Sequence, residues 1–280
     1  GGMQASRELV GKDYRAIHEY MRALGWDYSE HPNSSKNDHY DGVHCEVLFD
    51  ASLQQYVFKF TNHANARALD SDRGRLLSEG QRNEMKSQTN HDWYHLNGNW
   101  NEWQRLEWKF RIPKGFQPTT KFCHLHQLKA QEGNNGAPLI TISTRCDEDG
   151  GNKRVQVIHT GDTRTSGKGV IIDNLPLADF EDEWIQVDTE MHYTPHGTFR
   201  IKLTLISDGK VLADQSFADI DLWRKGATSI RNKFGIYRSL GRKMQSASDR
   251  PDNGLKDESL QLADFKVYEA HTNPNPQPHD

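Results

Sequence analysis

Cysteine is scarce in this chain of 280 residues, with Cys45, Cys123 and Cys146 the only three. An odd number cannot be fully paired, and none of the spacings suits a metal ligand set, so neither a disulfide scaffold nor a structural zinc centre follows. A Cys123–Cys146 bridge stays open, because geometry decides it. Long apolar runs are also missing, which excludes a membrane-spanning helix. No charge sign dominates: 35 Lys and Arg against 39 Asp and Glu give a formal net charge of −4. Binding to nucleic acid or to a membrane surface through a global field is therefore not expected, and an anionic partner has to be held by a local cluster of Arg, Lys and His. No signal peptide is recognisable. The opening Gly1-Gly2-Met3 reads as a scar ahead of a trimmed mature chain, and the expectation is a secreted or periplasmic protein.

Aromatic residues, in contrast, are plentiful, with seven Trp, nine Tyr and eleven Phe. Residues 7–25 place Leu9, Tyr14, Ile17, Tyr20, Met21 and Leu24 at helical spacing ahead of Gly25, which predicts one amphipathic helix. HPNSSKNDHYDG (31–42) is polar and turn-rich and reads as a loop. From residue 43 the chain becomes about a dozen short alternating segments separated by turns such as EDGGN (148–152), TPHG (194–197) and SDGK (207–210). That pattern predicts an all-β protein, a jelly-roll sandwich of two antiparallel sheets with an N-terminal helix. The expected division is a helical extension and loop over 1–42, a β domain over 43–270, and a disordered proline-rich tail over 271–280.

Three segments far apart in the chain concentrate titratable side chains: QRNEMK (81–86), KFCHLHQLK (121–129) and RNKFGIYRS (231–239). Strand residues alternate sides, so Arg82, Glu84 and Lys86 share one face and Asn83 and Met85 the other. The same count puts His124 with His126, Cys123 with Leu125 behind them, and Lys233 with Gly235 and Tyr237. Gln127 then falls on the opposite face. Two readings are open: solvated outer faces of an antiparallel sheet, or one convergent polar groove. His124-x-His126 also has the form of a metal pair, but no third ligand stands near it in the sequence.

In order along the chain, the three segments resemble the signature regions of jelly-roll polysaccharide lyases of the alginate-lyase-like and glucuronan- or heparin-lyase-like group. Arg82-Asn83-Glu84-Met85-Lys86 is similar to an R-[ST]-E-L-R strand, His124-Leu125-His126 to a Q-[IV]-H strand, and Lys233-Phe234-Gly235-Ile236-Tyr237 to K-A-G-[VI]-Y. The resemblance covers roughly residues 45–270 and departs from the pattern at His124, where the family carries Gln.

The resemblance implies β-elimination on a uronate-containing polymer such as alginate or glucuronan. The C5 proton of a uronate is acidic only when the adjacent carboxylate is neutralised, so a fixed cation or donor is needed there. Arg82, a planar fork that keeps its charge, fits that role, with His124 in place of Gln. His126 and Tyr237 are the expected base and acid. A nearby cation would help the phenol, and Gly235 is expected to leave open space beside it. Glu84, Lys86, Lys129, Lys233 and Trp103 are the expected substrate-binding residues, with Glu84 orienting Arg82 or a sugar hydroxyl.

No cofactor is required by this chemistry. The acidic clusters DSD (70–72) and DED (147–149) could take calcium, and RTSGKG (164–169) could form a lid. The aromatic stretch HDWYHLNGNWNEWQ (91–104) suits either sugar stacking or core filling. A noncatalytic lectin-like sandwich is the alternative. A glycoside hydrolase would need two facing carboxylates, for which no E-x-D-x-x-E strand is present.

Overall fold

Alternation in the sequence becomes two stacked antiparallel sheets in a computed structural model that describes residues 1–32, 43–64, 80–162, 169–240 and 254–270. The first sheet contains β1 (Gly2–Met3), β3 (Cys45–Asp50), β4 (Gln55–Asn62), β6 (Trp103–Arg111), β11 (Trp184–His192), β12 (Gly197–Leu205), β13 (Val211–Ile220) and β15 (Glu258–Ala270). Its order is β13-β12-β11-β6-β15-β4-β3, with β1 added alongside β15. The second contains β2 (Trp26–Glu30), β5 (Gly80–Ser87), β7 (Cys123–Gln131), β8 (Ile140–Arg145), β9 (Arg154–His159), β10 (Gly169–Pro176) and β14 (Ser229–Ser239). Its order is β10-β9-β8-β7-β14-β5-β2. This is a jelly-roll sandwich.

The core lies between the sheets. Phe234 from the second sheet meets Trp108 and Phe265 from the first, each with ring centroids 4.9 Å apart. Asn83 crosses the same gap: its amide donates to the carbonyls of Thr61 and His44 and accepts the Tyr28 hydroxyl at 2.6 Å. A buried amide so fully satisfied fixes the position of β5 against β4.

The N-terminal segment divides into a 3-10 turn (Arg7–Leu9) and α1 (Tyr14–Ala23), not the single helix that spacing predicts. Gly11 has a φ of 75°, and Asp13 caps α1 by accepting from the backbone N–H groups of Arg15 and Ala16, so the helix starts there. Ile17 and Met21 of α1 and Trp26 and Tyr28 of β2 enter the common core. The three thiols are free and buried, so Cys123 and Cys146 do not pair. The predicted loop at 31–42 beyond Pro32, the DSD cluster, RTSGKG up to Lys168 and the tail 271–280 lie outside the described residues.

Gly235 does not open a space. It has a φ of 144°, and a Cβ there would lie 2.1 Å from the Asn83 carbonyl oxygen and 2.7 Å from Glu84 Cα. The glycine is what lets β14 and β5 approach at this point. Gly235→Ala is expected to destabilise the protein by about 3 kcal/mol, from backbone strain and overpacking together. Urea unfolding measures this, and a loss below about 1 kcal/mol would show that the contact relaxes.

Candidate active site

β14 runs between β5 and β7, so the three titratable segments are neighbours. Tyr237 stands opposite Arg82 on one side and His124 on the other, and Lys233 stands opposite Lys86 and Gln127. The Arg82 guanidinium carbon lies 3.9 Å from the centre of the Tyr237 ring, a cation–π contact. The Tyr237 and His124 rings are 6.1 Å apart, with Phe122 5.0 Å from each.

Alternation along β7 fails at Leu125. His124 faces Ser143 across β8 and His126 faces Ile142, so one extra residue is accommodated between them, while Gly235 and Ile236 together oppose Leu125 on β14. This is a β-bulge, and it reverses the side on which later residues point. Leu125 and His126 both face the core. His126 stacks on Phe234 with centroids 4.6 Å apart, lies 5.3 Å from Trp108, and bonds through Nδ1 to the Lys233 carbonyl. It is 2% exposed and does not join His124 in the groove. Burial pushes its pKa down to about 4 despite that hydrogen bond. Gln127, expected on the far face, comes to the groove side and donates to Glu84 Oε1.

His124 keeps its expected place. Burial, with the nearby cations Arg145, Lys233, Arg82 and Lys129, lowers its pKa to about 3, so the ring is neutral. Its Nδ1 is 2.7 Å from Ser143 Oγ, which itself donates to Thr141 Oγ1. This chain places the ring proton on Nδ1 and leaves Nε2 as an acceptor.

Beneath these groups lies a layer of buried charge. Lys233 Nζ is 2.6 Å from Glu30 and 3.2 Å from Glu84, and Arg82 lies 3.5 Å and 3.8 Å from the same carboxylates. Lys86 reaches Glu30 at 3.4 Å and Asp27 at 3.7 Å. Burial works to raise the Glu30 pKa, but Lys233, Lys86 and Arg82 hold it well below the usual carboxylate range.

Glu30 escaped the sequence reading. The signal was present: Trp26-Asp27-Tyr28-Ser29-Glu30 alternates directly after Gly25 and forms β2.

Further along, Lys129 donates to the backbone carbonyls of Asn135 and Gly136 and has no carboxylate partner among the described residues, and Arg231 stands opposite it in the register. Burial and the surrounding cations Lys233, Arg82, Arg231 and Arg224 push the Lys129 pKa down to about 8.

Trp103 lies elsewhere. Leu106, Trp108 and Phe110 of β6 are buried, so Trp103, in phase with Arg105 and Glu107, is on the outer face of the first sheet, stacked on His192 at 4.5 Å. In the aromatic stretch Trp93 packs on the core, whereas Trp100 is exposed and paired edge-on with Trp223 at 5.3 Å. Among the described residues no three His, Cys, Asp or Glu side chains converge on a point. Asp147 of the DED cluster is committed to Arg154 and Asn152.

No protein-family model matches the sequence, and no curated protein matches it either. Solved structures do match in fold. An endo-β-1,4-glucuronan lyase from the fungus Trichoderma reesei aligns with 80% of this chain and 85% of its own, at 13% identity and a TM-score of 0.51. A family 7 alginate lyase in complex with product aligns with 89% of this chain and 97% of its own, at 11% identity and a TM-score of 0.54. The same kind of enzyme in complex with substrate aligns over 84% and 85%, at 10% identity and a TM-score of 0.52.

The neutral core histidine has a consequence for acid stability. In the unfolded chain an imidazole takes up its proton near pH 6.5, whereas His126 in the folded chain does so only near 4. The unfolded state therefore binds more protons in that window, and stability falls as pH drops through it. His126→Phe keeps a stacking ring but cannot titrate. Between pH 7 and about 4.5 it is expected to lose about 2 kcal/mol less stability than the parent, measured by urea unfolding at both pH values. Equal losses would place His126 in contact with solvent.

Proposed function

We propose that the protein is a polysaccharide lyase that cleaves a uronate-containing polymer, such as alginate or glucuronan, by β-elimination. The observation that carries this reading is the row Arg82, Tyr237 and His124: a guanidinium, a phenol and a neutral imidazole side by side on one face of three adjacent strands. The fold shared with alginate and glucuronan lyases supports it.

In this reading Arg82 takes the sugar carboxylate in a bidentate contact, so that charge developing on C5 is delocalised toward a fixed cation. Lys129 adds positive charge nearby. Tyr237 protonates the leaving glycosidic oxygen and, where the C5 proton lies on the same side, is also the base that removes it. The cation over its ring favours the phenolate this requires. Where the C5 proton lies on the opposite side, His124 Nε2 is the acceptor, a role that passes to it from the sequestered His126. A low pKa makes His124 a weak base in the free protein, and a bound carboxylate beside it raises its proton affinity. Glu84, Gln127 and Lys233 are buried and act by holding Arg82 in place.

The test is incubation with alginate, glucuronan, heparinoids and pectate while following the ultraviolet absorbance of the unsaturated uronate. Tyr237→Phe is expected to lower kcat by about 10³ or more while oligosaccharide affinity stays within about twofold. Tight binding without absorbance would mean a lectin, reducing ends without absorbance a hydrolase, and an active Tyr237→Phe variant a different proton donor.

A further inference from the structure

Beside the proposed catalytic row the second sheet continues into a cavity of about 540 Å³, within the usual range for small-ligand sites of about 300–1,000 Å³. Its floor is Lys86 of β5, Arg231 of β14 and Gln131 of β7, and its wall is His18 and Arg22 of α1 with Asp27 of β2. The floor residues continue the strands that carry Arg82, Tyr237 and His124. Arg231 is six residues from Tyr237 along β14, about 20 Å at the rise of a strand.

The charges in this cavity do not balance. Of its cations Arg22, Lys86 and Arg231, Lys86 is paired with Asp27, the one carboxylate in the lining, and with Glu30, which leaves Arg22 and Arg231 without a carboxylate at ion-pair distance among the described residues. Asp27 is already engaged, by His18 at 2.9 Å, Ser29 at 2.7 Å and Lys86 at 3.7 Å. Burial opposes its ionisation, but those partners still bring its pKa below the ordinary value.

Arg231 has no carboxylate partner among the described residues. One terminal nitrogen makes a long 3.5 Å contact with the Ala130 carbonyl, and its buried Nε has no hydrogen-bond partner. Glu30 and Glu84 act on Arg231 only from beyond ion-pair distance, and a half-buried guanidinium with no carboxylate in direct contact is costly unless a ligand supplies one. Lys129 stands directly opposite it in the register and adds a further cation, held among the described residues by backbone carbonyls.

We infer that this cavity is a second acidic-sugar subsite, walled by α1 and holding a carboxylate-bearing unit of the same polymer several sugars from the cleaved bond. This rests on the reading of the groove as a site for an anionic polysaccharide. It gives α1, which lies outside the segments that resemble lyase signatures, a part in binding: Arg22 and Arg231 grip the distal carboxylate from opposite sides, and Gln131 offers hydrogen bonds to sugar hydroxyls.

The test uses the inactive Tyr237→Phe full-length protein and titration calorimetry with alginate and glucuronan oligosaccharides from disaccharide to octasaccharide. Affinity is expected to rise when the oligosaccharide becomes long enough to reach the cavity. Arg22→Glu, an exposed change that leaves the core untouched, and Arg231→Gln are each expected to remove about tenfold of that gain, the size of one charge-assisted hydrogen bond. An octasaccharide bound no more tightly than a tetrasaccharide, or bound equally by parent and both variants, overturns the subsite and leaves the lyase reading standing if the polymer assay gives unsaturated product. Failure of every oligosaccharide to bind, with no product from any polymer, overturns both.

Discussion

A lysine ammonium that is 1% exposed and a glutamate that is 0% exposed can coexist at the face of a sheet only because each offsets the other's loss of hydration. Lys233 and Glu84 are in that position, and Glu30, Arg82 and Lys86 close the network around them. Removing one member of a buried pair leaves an uncompensated charge, which costs about 3–5 kcal/mol. The register of β2, β5 and β14 is therefore tied to the charge pattern as well as to the apolar core. Asp27 joins the network through Lys86, so its three cations face three carboxylates.

The second constraint is geometric. β14 pairs with β5 without interruption, yet its pairing with β7 slips at Leu125. Gly235 sits at the same level with its backbone pressed on Asn83 and Glu84. The slip sends His126 into the core against Phe234 and brings Gln127 out toward Glu84. One inserted residue thus decides which of two histidines sees solvent. It also explains why both imidazoles are neutral for different reasons: His126 through burial alone, His124 through burial and a ring of cations.

Much of this was legible in the sequence. Strict alternation announced most of the strands, and hence two antiparallel sheets, because a half-buried strand has to repeat every second residue. Like faces on three segments made a convergent groove one of two open readings, but alternation does not say which strands are neighbours, and that β14 lies between β5 and β7 is seen only in the fold. The bulge was not read, although its trace was there: Leu125 and Leu128 are three apart and cannot both face the core on an unbroken strand. Trp103 stands out of phase with the buried Leu106 and Trp108, so alternation already turns it away from the core, and only its place on β6 puts it on the other sheet from the groove. β10 escaped because its pairing with β9 shifts register twice, which blurs the alternation. β1 is two residues long and exists only by pairing with β15.

The charge network also changes where the substrate question turns. In the sequence the departure at His124 was the main difference from the lyase signatures. In the fold, Glu30 reaches the same cluster from β2, which neither lies in those signatures nor follows them in the chain. Glu30 already satisfies part of the charge on Lys233, Lys86 and Arg82, so a sugar carboxylate arriving at Arg82 meets a smaller net field than the three cations alone would present. Arg231 and Lys129, by contrast, have no carboxylate within ion-pair distance among the described residues. The steepest unmet demand for negative charge is therefore displaced along the sheet, away from Tyr237 and His124 and toward α1. Under the proposed function, binding energy would come from sugars remote from the broken bond, and such contacts would assist the chemical step only where that energy is spent on orienting or distorting the sugar at Arg82.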